Sequence, residues 1–163
     1  MSAGERPVRA EIVQTGDPRI RAVTIEIDAP ANRIFDVIAQ PAMHCVVDGS
    51  GTVRGRLNGP DRLFLGAKFG MRMRIGLPYV IRNEVIEFEE GSRIAWRHVN
   101  RHVWRYEFTP LDEHRTTVTE TFDGTTSRFP AGLQVMNAYQ ANERAMAKTL
   151  VKLKALMEQD EQA

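Results

Sequence analysis

The chain has 163 residues, 42 % of them hydrophobic and 26 % charged, and a formal net charge of +1. That length fits one domain able to bury about 70 % of its unfolded surface, and the near-neutral charge argues against general nucleic-acid binding. A single cysteine, Cys45, excludes an intrachain disulfide and points to a cytoplasmic protein; MSAGERPVRAEI lacks the apolar core of a secretory leader, and no run of about 18 apolar residues predicts stable membrane insertion.

Residues 1–20 hold Pro7, Gly16 and Pro18 and read as an N-terminal arm, either loose or ending in a short edge strand. RAVTIEID (21–28) alternates Val23, Ile25 and Ile27 with polar residues, the pattern of a half-buried strand. APANRIFDVIAQ (29–40) reads as a short helix with Asp28 as its cap, Pro30 in its first turn and Ile34, Phe35 and Ile38 as its apolar stripe. AMHCVV (42–47) reads as a second short helix, with His44 at the surface and Cys45 buried, before the turn DGSG (48–51).

Strands and turns follow from 52 to about 123. TVRGRL is a short strand, and NGPD (58–61) is a turn. RLFLGAKFGMRMRIG (62–76) alternates throughout, with Leu63, Leu65, Ala67, Phe69, Met71, Met73 and Ile75 on one face. YVIRNEVIEFEE (79–90) sets Ile86 and Phe88 against Glu87 and Glu89. IAWRHVNRHVWRYEF (94–108) holds both tryptophans and reads as a hairpin. Its facing residue numbers must sum to an even value if Trp96 and Trp104 are to share a face. A sum of 200 pairs Trp96 with Trp104 across a Val99-Asn100-Arg101 loop; a sum of 202 pairs Trp96 with Tyr106. HRTTVTETFD (114–123) is a Thr-rich strand. Residues 129–159 read as one long helix with Met136, Tyr139, Glu143, Met146, Leu150, Leu153 and Met157 along one stripe, and residues 159–163 as a tail. Helices segregated to one face of an antiparallel sheet make the expected fold class α+β.

Several stretches resemble the START-like, helix-grip superfamily and, within it, the polyketide cyclase/dehydrase group. VTIEIDAPANRIFDVIA (23–39) is similar to its opening strand and Phe-bearing helix, and HCVVDGSGTVRG (44–55) to the stretch after its second helix. IAWRH, WRYEFTP and TTVTETFD within 94–123 are similar to its closing strands, and NERAMAKTLVKLKALM (142–157) to its last helix. The resemblance covers about 21–158. It implies a curved antiparallel sheet wrapped around a long C-terminal helix, with two short helices after the first strand and a ligand cavity between sheet and helix.

Strand parity supplies the expected lining: Phe69, Met71 and Met73; Phe88; Trp96 and His98; Trp104 and Tyr106; and, from the helix, Met136, Tyr139, Gln140 and Glu143. Bulky aromatics, adaptable methionines and sparse polar groups suit a small hydrophobic ligand, lipid-like or aromatic polyketide-like; a solid core is the competing reading. The other main expectation is a metal-free cyclase, aromatase or dehydratase-type enzyme. In it His98 would exchange protons near neutral pH, Tyr106 would polarise a carbonyl and Glu143 would act as a base, set against His98 being a hydrogen-bonded wall residue. His98 and His102 lack a clear third ligand, so neither metal nor cofactor is expected. His114 is assigned to the surface, and no nucleophile elbow or phosphate loop is present. Residues 54–105 carry eleven Lys/Arg against five Asp/Glu. Arg72, Arg74, Arg97 and Arg105 are expected on the outer sheet face, where they are solvated and paired, as Arg97 with Glu107, or meet a partner protein or anionic membrane. No nucleic-acid partner is expected, and a homodimer stays open.

Overall fold

The alternation of Val23, Ile25 and Ile27 with polar neighbours builds a strand with one dry face. In the computed structural model, which describes residues 7–159, this strand, β2 (Ile20–Ile27), pairs with the edge strand β1 (Glu11–Val13) and with β8 (Thr116–Asp123). The outer part of the expected arm, 1–6, and of the tail, 160–163, lies outside the described residues. Between β2 and β8 run β3 (Val53–Asn58), β4 (Lys68–Ile75), β5 (Leu77–Glu89), β6 (Arg93–His98) and β7 (Val103–Pro110). They form one eight-stranded antiparallel sheet in the order β1-β2-β8-β7-β6-β5-β4-β3. Helices α1 (Ala31–Ile38) and α2 (His44–Val47) follow β2, and α3 (Pro130–Val135) and α4 (Ala138–Gln159) close the described chain. The curved sheet and the long last helix make the α+β helix-grip fold.

The core lies between the concave side of the sheet and α4, which rests on β2 and β8. Tyr139, Met146, Leu150, Leu153 and Met157 recur every three, four or seven residues and are all buried, so a single helical face meets the sheet. Leu150 and Leu153 are fully buried, and truncating either to Ala costs about 2–5 kcal/mol through lost transfer energy and the cavity left behind. Ile34, Phe35 and Ile38 of α1 close one end of this core as expected. Phe35 meets Phe88 and Phe108 edge-on at 5.3 and 5.5 Å.

Local details differ from the sequence expectations. The cap position of α1 is Pro30 rather than Asp28, whose backbone N–H instead donates to Glu158. β4 starts only at Lys68. Residues 62–67 form a loop in which Gly66, at φ +84°, donates its N–H to the Val85 carbonyl, so the alternation there is not that of a strand and Leu65 is exposed. The expected single helix 129–159 breaks after Met136 because Asn137 takes φ +52°, a left-handed conformation that asparagine tolerates. On α2 the one-turn period turns His44 inward with Val47 and leaves Cys45 and Val46 exposed, the reverse of the expected placements of His44 and Cys45. On the outer sheet face Arg105 makes a bidentate ion pair with Glu87 (2.8 and 2.7 Å). Glu107 meets Arg93 (3.5 Å) rather than Arg97, which faces Glu84 at 3.7 Å.

The loop after α2 is bound tightly to α4. Gly49 donates its N–H to Thr149 Oγ1 (2.9 Å), and Lys152 Nζ donates to the Asp48 carbonyl (2.7 Å). A Cβ on Gly49 would lie 2.4 Å from the Thr149 backbone nitrogen and 2.5 Å from the Ala145 carbonyl oxygen. The Gly49→Ala variant is therefore expected to lose about 1–3 kcal/mol of stability, read as a lower melting temperature, because helix backbone cannot yield as a side chain can.

Candidate functional site

Strand pairing places three rows of side chains on the concave face. One row runs Val85, Trp96, Trp104, Phe122 across β5, β6, β7 and β8. A second runs Ile94, Tyr106, Glu120, Val23 across β6, β7, β8 and β2. A third, toward the β6–β7 loop, is Phe69, Asn83, His98. The hairpin register is the one whose facing numbers sum to 200: Trp96 pairs with Trp104, and the three-residue loop closes through Arg101 at φ +71°. A bulge between Val85 and Glu87 shifts the parity of β5. Asn83 and Val85 therefore face inward before it and Phe88 after it, and the sequence pattern missed the first two.

Aromatic contacts tie the wall together. The His44 ring stacks on Trp96 at 5.0 Å and meets Phe69 edge-on at 5.8 Å, while its Nε2–H donates to the Ile38 carbonyl (2.8 Å). Burial lowers its pKa, so it is a neutral member of the wall. Trp96 lies 5.6 Å from Phe69 and 5.7 Å from Tyr106. Phe122 is surrounded by Trp104 at 4.9 Å, His102 at 5.2 Å and Tyr139 at 5.7 Å.

The strongest electrostatic feature is Glu120, which the Thr-rich pattern of β8 concealed. It is 4 % exposed, and Tyr106 donates its O–H to Glu120 Oε1 at 2.7 Å. Burial, helped by the nearby Asp48 charge and opposed by the Tyr106 hydrogen bond, raises its pKa to about 8. Glu120 is thus largely a neutral acid at pH 7. Burial also drives the Tyr106 pKa well upward. Four buried polar atoms of this wall have no hydrogen-bond partner among the described residues: Glu120 Oε2, Tyr139 Oη, His102 Nδ1 and Asn83 Oδ1.

His98 and His102 stack face to face at 4.6 Å. Asn100 N–H donates to His98 Nδ1 (3.1 Å), which fixes the neutral ring with its proton on Nε2. Burial lowers both pKa values; that of His102 falls to about 4, with the charge of His98 adding to the effect. Stacked rings do not converge on a common point, and among the described residues no three His, Cys, Asp or Glu side chains are grouped as metal ligands.

The expected site residues separate into groups. Phe69, Met71, Trp96, Tyr106 and Tyr139 are buried on the concave side, and His98, Met73 and Trp104 are half-buried. Phe88 packs on α1 instead of on the α4 side. Met136 (75 % exposed) points to solvent because the break at Asn137 takes it off the line of α4, and Gln140, one residue past the buried Tyr139 on α4, lies off the buried stripe. Glu143 is engaged by Arg21 at 3.3 Å where α4 crosses β2, and the carboxyl group that stands on the concave wall beside Tyr106 is that of Glu120.

An open cleft of about 660 Å³ lies where β6 ends at His98 while β4 and β5 run on to their own turn. Beyond Asn83 the sheet has a step. At that step residues of both faces border one space, which meets the concave wall at Phe69, Asn83 and His98. Trp96, Tyr106 and Glu120 lie behind Phe69 and do not line the cleft.

Residues 21–158 match the family described as polyketide cyclase / dehydrase and lipid transport. The chain belongs to that family. The uncharacterised protein Rv0088 of Mycobacterium tuberculosis is 41 % identical over 113 residues, 69 % of this chain and 50 % of that protein, so the shared region spans about half of that relative's length. Protein Ms6760 of Mycobacterium smegmatis has the same fold, with a TM-score of 0.70 at 17 % identity over 94 % of this chain and 99 % of its own. The di-domain ARO/CYC StfQ from the steffimycin biosynthetic pathway superposes with a TM-score of 0.61 at 13 % identity, over 89 % of this chain and 52 % of its own. Among the described residues no helix is long and apolar enough to cross a membrane.

The Glu120 pKa makes stability depend on pH. The unfolded carboxyl ionises near 4.5 and the folded one near 8, so between those values the folded state holds the extra proton and stability falls as pH rises. The lowered histidine pKa values act in the opposite sense, but only below about 6.5. From pH 6.5 to 8 the protein is expected to lose up to about 1.4 kcal/mol per pH unit in denaturant titrations, and Glu120→Gln is expected to flatten that slope.

Proposed function

We propose that the protein binds a small hydrophobic ligand between the concave face of the sheet and α4. The observation carrying this reading is the set of four unpartnered polar atoms in an otherwise aromatic wall. Buried polar groups of a folded chain are nearly always paired, and a ligand with a few polar atoms among apolar ones would supply the partners. The cleft borders this wall at Phe69, Asn83 and His98. The family, whose description covers both cyclases and lipid transport, agrees with this class of ligand.

A second reading is a cyclase or aromatase-type reaction without a metal. The Tyr106–Glu120 pair favours it: a buried neutral acid beside a phenol can donate a proton to a ligand's carbonyl oxygen while water takes the proton from the neighbouring carbon, which leaves the enol. In this version Tyr106 keeps the role at the carbonyl expected from the sequence, Glu120 supplies an acid where Glu143 was expected as a base, and His98, with Nδ1 held by Asn100, acts as a donor through Nε2.

Both tryptophans of the chain stand in the concave row. Titration with the neutral probe N-phenyl-1-naphthylamine is therefore expected to quench tryptophan emission saturably, and absence of any change would count against the binding reading. Proton–deuterium exchange next to the carbonyl of 2-acetonaphthone, followed by NMR, separates the two readings. A carrier leaves the solution rate unchanged, whereas an enzyme accelerates it and loses the acceleration in Glu120→Gln and Tyr106→Phe.

A further inference from the structure

We propose that the cleft at the step of the sheet holds the anionic group, phosphate or carboxylate, of a small amphiphilic ligand whose apolar body reaches the concave wall. The proposal rests on the binding reading above and adds the charge of the ligand. Lys68, Arg82, Arg97, Arg101 and Arg128 all border the cleft, against the single carboxylate of Glu84. Five cations and one anion leave +4 there, while the whole chain carries only +1. Strand pairing puts Glu84 between Lys68 and Arg97, and among the described residues its one ion pair is with Arg97 at 3.7 Å. Lys68, Arg82, Arg101 and Arg128 make no ion pair among the described residues. Like charges gathered within a Debye length of about 8–10 Å repel one another, and a bound anion relieves that repulsion.

The backbone gathers two of these cations deliberately. Arg128 donates its N–H to the Asn100 carbonyl (2.9 Å), and Thr126 Oγ1 donates to the Arg101 carbonyl (2.6 Å), so the segment before α3 is fastened to the β6–β7 loop. Arg101 sits at φ +71°, a conformation glycine adopts without strain, yet the position carries a guanidinium. Asn83, 4 % exposed with Oδ1 unpartnered, lines the cleft beside Phe69, where the charged rim meets the aromatic wall. At about 660 Å³ the cleft has the size of a small-molecule site. A doubly charged phosphate monoester suits four unpaired cations better than a single carboxylate does.

The test compares 1-naphthyl phosphate, 1-naphthoate, 1-naphthol and inorganic phosphate by calorimetry on the full chain and on its variants Arg101→Gly and Arg128→Gln. Arg101→Gly keeps the loop conformation while removing the charge. The expected order of affinity is naphthyl phosphate, then naphthoate, then naphthol, with each variant weakening the two anions about tenfold and leaving naphthol unchanged. Anion binding is also expected to weaken as salt rises. Naphthol binding as tightly as naphthyl phosphate, or variants that bind the anions normally, would overturn the proposal while leaving the hydrophobic-ligand reading intact. Inorganic phosphate matching naphthyl phosphate would overturn the amphiphile, and binding of none of the four probes would remove both readings.

Discussion

Everything on the concave side depends on one pairing, that of Trp96 with Trp104 and of Trp104 with Phe122. Side chains of a strand alternate faces, so a slip of one residue would send Tyr106, Phe108, Val118, Glu120 and Phe122 to solvent and bring the arginines and threonines between them inward. The register is held by the three-residue loop closed at Arg101 and by the aromatic contacts across β6, β7 and β8. From that register follow the burial of Glu120 and the stacking of His98 on His102, and the meeting of α4 with a face apolar enough to cover Leu150 and Leu153.

The same interior treats its charges in two ways. Arg21 and Glu143, where α4 crosses β2, share an ion pair that water still reaches in part. Glu120 has only a phenol beside it, and its proton neutralises it instead. An unpaired carboxylate in an apolar surround costs more than holding a proton does, so burial decides the protonation state. A neutral acid facing an aromatic wall suits a ligand with hydrogen-bond acceptors. The cationic rim borders the cleft, which reaches Phe69 but not Trp96 behind it.

Much of this was legible in the sequence because it rests on local periodicity. The inward faces of β2, β4 and β7, a hairpin over 94–108 with two registers left open, the stripe of α4 and the α+β class all follow from period 2 or period 3.6. What escaped were features that break a period. The bulge in β5 changed parity and hid Asn83 and Val85. Gly66 ended the alternation before β4. Asn137 cut the last helix and left Met136 at the surface. A four-residue helix was too short for its inward face to be read, and His44 was placed outside.

The sequence by itself therefore determined which elements form, the family the chain belongs to and most of the aromatic wall, because those follow from short-range patterning and from stretches similar to known relatives. The tertiary structure alone decided which carboxyl group is buried without an ion pair among the described residues. Glu120 and Glu143 look alike in one dimension, but only packing places one against Arg21 and the other against Tyr106 with water excluded. It alone also decided that five cations distant in sequence share one cleft, since that follows from where β6 stops beside β5 and from two hydrogen bonds that fold the segment before α3 onto the hairpin loop.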